Sequence, residues 1–227
     1  MNTPVKTINL GGVNCYLLSA GEGYILIDTG FANKRSQLDR ELDAAGCRPG
    51  NLKLIILTHG DIDHAANAAY LRGKFAAIIA MHRDDFGMVE QGNMGWNRKA
   101  KPDKISFIGG MIILLGSIST ILSPSNPFET FTPDIELEDG QSLSEYGLNG
   151  IVIRLQGHSK GSIGILTTHG DLFCGDLLWN MRKPEPHFLV DDWTAYRSSF
   201  QKLKGLEVAT VYPGHGSPFS LKTLSCA

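Results

Sequence analysis

The sequence predicts an α/β protein with mixed β-sheets, and three observations carry that prediction. Short apolar runs of strand length recur along most of the chain. Segments with apolar residues at helical spacing fall between some of them, the rhythm of βα units. Other runs follow one another with only a turn between, which a purely parallel sheet does not allow. No low-complexity segment or linker interrupts the 227 residues, so the expectation is a single domain over 1–227. A hydrophobic share of 42% is enough for a sizeable core.

Taken in order, residues 5–10 and 14–19 read as strands separated by Gly11 and Gly12. Residues 23–30 form another, ending in Asp28, Thr29 and a glycine turn. Residues 36–46 read as an amphipathic helix, with Leu38, Leu42 and Ala45 on one face and Gly46 as its stop. The run 54–57 is a buried strand, 65–71 the helix after it, and 74–80 the next strand, with His82 just past its end. The segment 83–132 is irregular, and about 85–132 reads as an apolar insert or lid. Within it, residues 105–122 carry no charge over eighteen positions. That length is borderline for a membrane span. A span is rejected, because it would separate the polar clusters on either side, which are expected to share one site. A buried helix, a lid over a substrate pocket, a dimer surface and a membrane-contacting face stay open. Strands then resume at 134–137, 151–155, 163–167 and 172–176. A helix at 192–203 places Trp193, Tyr196, Phe200 and Leu203 on one face, and a last strand covers 208–212.

Composition narrows the function. A formal charge of −2 gives no basic footprint for nucleic acid. The four cysteines, at 15, 47, 174 and 226, form no CxxC pair, which argues against a disulfide framework and a cysteine zinc site. The first residues lack the apolar core of a signal peptide, so a reducing, cytoplasmic setting is expected.

The chemistry concentrates at 58–64, Thr-His-Gly-Asp-Ile-Asp-His. His59, Asp61, Asp63 and His64 are four potential metal ligands between a buried strand and a helix. Either aspartate could instead cap the helix, but capping does not account for two histidines beside them. Further strands end in Asp28, in His158 flanked by glycines, in Asp176 and just before His215. Side chains at strand ends of an α/β sheet can converge on one ligand.

Together these motifs resemble the metallo-β-lactamase superfamily of metal-dependent hydrolases. The carriers are Asp28-Thr29-Gly30, the cluster at 58–64, Gly157-His158-Ser159, Gly175-Asp176 and Pro213-Gly214-His215-Gly216, in the family's order and over nearly the whole chain. The resemblance implies a four-layer αββα sandwich of two mixed β-sheets, with the site at one edge. It implies that His59, the residue at 61 and His158 hold a first metal. It assigns Asp63, His64 and His215 to a second, with Asp176 bridging the two and Asp28 orienting the ligands. The chain departs from the family's His-x-His-x-Asp-His, because Asp61 stands at the middle histidine. A carboxylate adds a negative charge and a harder donor there. The expected cofactors are therefore two divalent ions, zinc first, with manganese or iron open because of Asp61.

The chemistry implied is hydrolysis. Two metals about 3.5–4 Å apart share a water, lower its pKa toward about 7 and deliver a bridging hydroxide to the substrate. Asp63 is the candidate to orient that nucleophile and carry its proton. Lys160 reads first as a solvated loop lysine that could instead face an anionic substrate group, and His187 either as a surface histidine or as one that lines the mouth of the site or donates a proton. His82 and His169 match no ligand motif and read as structural, and Cys174 as a core residue. Trp96 could shape substrate binding. The glutathione thioesterases of the family carry an added C-terminal helical domain, whereas this chain ends twelve residues past His215. The expected substrate is accordingly another small ester, a thioester or a lactone. The expected partners are that small molecule and, as an open reading, a second copy of the chain, with no nucleic acid and no membrane span. The rival readings are an iron-dependent oxygenase or oxygen reductase on the same fold, and a module whose metal is only structural.

Overall fold

The computed structural model describes residues 4–105 and 128–224. The apolar stretch expected to form an insert or lid lies, for 106–122, outside the described residues. Among the described residues, no helix is long and apolar enough to cross a membrane.

Ten principal strands build two sheets. The first contains β1 (Val5–Asn9), β2 (Asn14–Ala20), β3 (Gly23–Ile27), β4 (Leu52–Ile56), β5 (Ile78–Met81) and β6 (Ile135–Glu136), in that order. β1, β2 and β3 pair antiparallel, and β3 to β6 pair parallel. The second contains β7 (Gly150–Arg154), β8 (Ile163–Thr167), β9 (Asp171–Gly175) and β10 (Thr210–Pro213), in the order β10-β9-β8-β7. β7, β8 and β9 pair antiparallel, and β10 joins β9 in parallel.

Period-two alternation decides the layers. Ile25, Ile27, Leu54 and Ile56 turn to the second sheet and meet Val152, Ile163, Ile165 and Phe173. Leu26, Ile55 and Ile79, on the opposite face, pack against α1 (Arg35–Ala44) and α3 (Ala68–Phe75) through Leu38, Leu42, Leu71 and Phe75. The outer face of the second sheet buries Ile153, Leu172, Cys174 and Val211 against Tyr196 and Leu203 of the long helix Trp193–Lys204. The result is the expected αββα sandwich of mixed sheets.

Two expectations need correction. Residues 74 and 75 are not strand, because α3 runs on to Phe75 and ends in Ala76 at φ +56°. The apolar run there suits either period, and Phe75 is buried in the helix layer beside Leu71. The helix expected at 65–71 is also divided, into α2 (Ile62–Ala65) and α3. Asn67 lies between them, and its amide donates to the carbonyls of Thr29, Gly30 and Phe31.

The polar strand ends meet at one edge of the sandwich, where backbone bonds join the two sheets. Ile163 N donates to Thr58 O at 2.9 Å, and Asn14 N to Gly214 O at 2.8 Å. The turn carrying His158 packs on the N-terminus of the long helix. A Cβ on Gly157, whose φ is +135°, would come within 2.6 Å of Tyr196 Cα. Gly157→Ala is therefore expected to cost about 3 kcal/mol from overpacking and backbone strain together, read as a lowered midpoint in urea unfolding.

Candidate metal centre

Four histidines of the cluster are fixed through Nδ1, which turns Nε2 inward. His64 Nδ1 lies 2.8 Å from Asp28 Oδ2, His59 Nδ1 3.0 Å from Thr58 Oγ1, His158 Nδ1 3.0 Å from Leu189 O and His215 Nδ1 2.8 Å from Gly12 O. An oxygen partner at Nδ1 assigns the proton there and leaves the Nε2 lone pair to face the site.

Asp176 stands at the centre. Its Oδ2 is 3.2 Å from His187 Nε2, 3.3 Å from His215, 3.7 Å from His158 and 3.9 Å from His59. Its Oδ1 is 3.4 Å from His64 Nε2. Asp63 Oδ2 lies 3.4 Å from His215 Nε2 and 3.6 Å from His64 Nε2. Ligand atoms around a tetrahedral ion with bonds of about 2.1 Å are about 3.4 Å apart, so these separations suit coordination. Among the described residues, three groups of ligand atoms are close enough to hold an ion: His59, His158 and Asp176; Asp63, His64 and His215; and Asp176, His187 and His215. The donors fit the expected metals on a second ground. Nε2 of His59, His64 and His187 and Oδ1 of Asp176 are all buried with no hydrogen-bond partner. Leaving such atoms unpaired costs about 1–3 kcal/mol each, and a bound cation satisfies them together.

Electrostatics point the same way. Burial lowers the basicity of His64, but Asp176, Asp63 and Asp28 outweigh it and bring its pKa up to about 10. Burial raises the Asp176 carboxyl, and the surrounding His187, His215 and His64 hold it well below its usual range. The cluster therefore favours added positive charge. His187 is the exception, since burial pushes it down to about 3 and it stays neutral.

The sequence-named residues fall into place unevenly. His59, Asp61, Asp63, His64, His158, Asp176 and His215 all face the centre. Asp28 is buried beneath them, and its carboxylate also accepts from Thr58 N at 2.8 Å. His187, 2% exposed, lies inside the site rather than at its mouth. Lys160 does not reach it, since its Nζ donates to Asn97 Oδ1 at 2.8 Å on the surface. His82 caps a short turn by accepting from Asp84 N, and His169 lies in the turn at the far end of β9 from Asp176. Cys174 is buried in the outer core of the second sheet. Trp96 is partly exposed and covers Gly87.

Two residues at the site went unforeseen. Asp85 is buried, and accepts from Ser159 Oγ at 2.6 Å, Gly161 N at 2.7 Å and Gly60 N at 3.2 Å, fastening the His158 loop to the His59 loop. Arg98 forks onto Asp61, with Nη1 to Oδ1 and Nη2 to Oδ2 both at 2.8 Å. Neither lies in a periodic segment that would have singled it out.

The profile described as the Metallo-beta-lactamase superfamily matches residues 8–215. The chain belongs to that superfamily. It is an enzyme of the metal-dependent hydrolase kind, with a metal-binding cluster of His and Asp. It is 27% identical over 223 residues to a Haemophilus influenzae protein named hydroxyacylglutathione hydrolase GloC, covering 96% of this chain and 92% of that one. It is 24% identical to a Drosophila melanogaster beta-lactamase-like protein 2 homolog over 93% of this chain, and spans 61% of that relative's length. Among solved structures, TTHA1623 in a di-iron-bound form superposes with a TM-score of 0.68 at 24% identity, covering 97% of this chain and 96% of that one.

Proposed function

We propose that this metallo-β-lactamase-superfamily enzyme holds two divalent ions and hydrolyses a small thioester, ester or lactone. The observation that carries the reading is the convergence of buried, unpartnered imidazole nitrogens on Asp176. His59, His158 and Asp61 would hold one ion, Asp63, His64 and His215 the other, and Asp176 both. Divalent ions placed there acidify water and polarise the substrate's carbonyl oxygen.

The chain's own residues supply the rest. Asp63 is the most exposed of the inward carboxylates, at 20%, and faces His215. Burial raises its carboxyl, but His64 and His215 outweigh that and keep it ionised, ready to orient a water and accept its proton. His187, kept neutral by burial, brings its Nε2 to 3.2 Å from Asp176 Oδ2 and offers the centre a further uncharged donor.

Thioesters come first among the substrates. The Haemophilus influenzae relative named hydroxyacylglutathione hydrolase is covered over 92% of its length, which supports placing acyl-glutathione thioesters among them. A panel of acyl-glutathione thioesters, aryl esters and lactones, assayed on protein carrying zinc, manganese or iron, tests the reading. Turnover of at least one class, lost on chelation, is expected. Absence of turnover from all three in metal-loaded protein sinks it.

A second reading has one specific support, the di-iron-bound form of the similar structure. Bound iron with oxygen consumption and no turnover of any panel substrate would favour a redox enzyme on this fold.

A further inference from the structure

Arg98 comes from a loop whose neighbours Trp96, Asn97, Lys99 and Ala100 are exposed, yet its own side chain is only 12% exposed. It is drawn in by Asp61. Its two terminal nitrogens each donate to one carboxylate oxygen at 2.8 Å, the forked geometry that a lysine cannot reproduce. Nη1 also donates to Met94 O at 3.2 Å, and Nη2 lies 3.3 Å from His158 Nε2.

The fork does not exhaust Asp61. Its Oδ2 also lies 2.8 Å from His158 Nε2 and 3.4 Å from His59 Nε2. Both imidazoles have their Nδ1 engaged with an oxygen, so their lone pairs and that of Oδ2 point at one place. At 2.8 Å the His158 contact has the length of a hydrogen bond, made by a proton on Nε2, and a bound cation would take that proton's place between the two atoms. Asp61 thus has the geometry of a ligand, with a guanidinium behind it. A carboxylate and a guanidinium together carry no net charge, as does the neutral imidazole that the family pattern has at this position.

We propose that Asp61 and Arg98 act as one unit, a carboxylate ligand whose charge is cancelled and whose orientation is fixed by the arginine, replacing the histidine of the usual motif. Arg98 is a positioning residue, and its role rests on the metal-hydrolase reading above. The pairing also accounts for how an extra acidic ligand is accommodated beside Asp63 and Asp176 without overloading the site with negative charge. Conversely, restoring histidine at 61 alone leaves the Arg98 charge unbalanced, 3.3 Å from a ligand nitrogen.

The test is zinc content by elemental mass spectrometry, with affinity by chelator competition, on wild type, Asp61→His, Asp61→His/Arg98→Met and Arg98→Lys. Wild type is expected to hold two zinc per chain. Asp61→His is expected to lose one, or to bind it at least about 100-fold more weakly, and the double variant to regain it. Arg98→Lys keeps the charge but loses the fork, and should weaken the first position about 10- to 100-fold, the range for groups that orient a ligand. Circular dichroism checks that each variant is folded, and Arg98→Lys carries the test if the histidine variants are not. A full zinc load in Asp61→His, a folded double variant that does not recover, or wild-type affinity in Arg98→Lys overturns the pairing. Wild type that takes up no metal overturns the hydrolase reading as well, and is told apart because it fails before any variant is compared.

Discussion

Asp176→Asn is expected to abolish hydrolysis and metal retention together, with kcat/KM down by at least about 10³-fold, the scale seen when a group acting directly on transition-state charge is removed. The substitution keeps the volume and removes the charge. It also puts an amide N–H₂ in place of one oxygen, against His187 and His215 where Oδ2 now lies at 3.2 and 3.3 Å, or against His64 where Oδ1 now lies at 3.4 Å. Asp176 is the carboxylate within reach of both His59 with His158 and His64 with His215, so its loss should not leave one position working. A second readout separates metal loss from unfolding. An ion at a thousand times its Kd stabilises a fold by about 4 kcal/mol. In a chain of this size that raises Tm by roughly 8–16 °C. Wild type should show this shift on zinc addition, and Asp176→Asn should show almost none. A variant with a wild-type zinc shift and wild-type turnover would remove Asp176 from the centre of the site.

The parts of this site that are legible in the sequence share a physical cause. His59, Asp176 and His215 follow short apolar runs of strand length, so a polar residue at the end of the run stands out. Asp28 stands out for the same reason. Arg98 and Asp85 do not, because they act across the fold from an irregular segment. Arg98 meets Asp61 37 residues away, and Asp85 meets Ser159 74 residues away. No local spacing encodes such contacts. His187 was visible as a histidine, but its burial depends on how the loop after β9 folds over Asp176. The strand expected at 74–80 is present but starts later, at Ile78, for a related reason. Its short apolar run satisfies both periods, and the outcome was decided by Phe75 packing into the helix layer.

Asp28→Asn is expected to leave the fold standing and weaken metal binding about 10- to 100-fold, whereas Asp28→Ala is expected to damage both. Asp28 has φ +59°, a conformation that Asp and Asn tolerate better than Ala. Its carboxylate holds Thr58 N, Thr58 Oγ1 and His64 Nδ1 at 2.8–2.9 Å, all of them buried. Alanine strands these three donors and strains the backbone, at a cost of about 3–5 kcal/mol by comparison with broken buried charge pairs. Asparagine fits the turn and can still accept from Thr58. Its second group is a donor, however, and it meets the Nδ1–H of His64 donor to donor. His64 must then rotate or change tautomer, and its Nε2 loses the lone pair aimed between Asp63 and Asp176. Urea unfolding of the metal-free variants reads the first effect, and chelator competition for zinc reads the second. If Asp28→Asn binds zinc as wild type does, the carboxylate serves only the fold. If it binds weakly while unfolding at a wild-type midpoint, the Asp28–His64 contact sets the aim of a ligand, which packing of the two sheets alone does not supply.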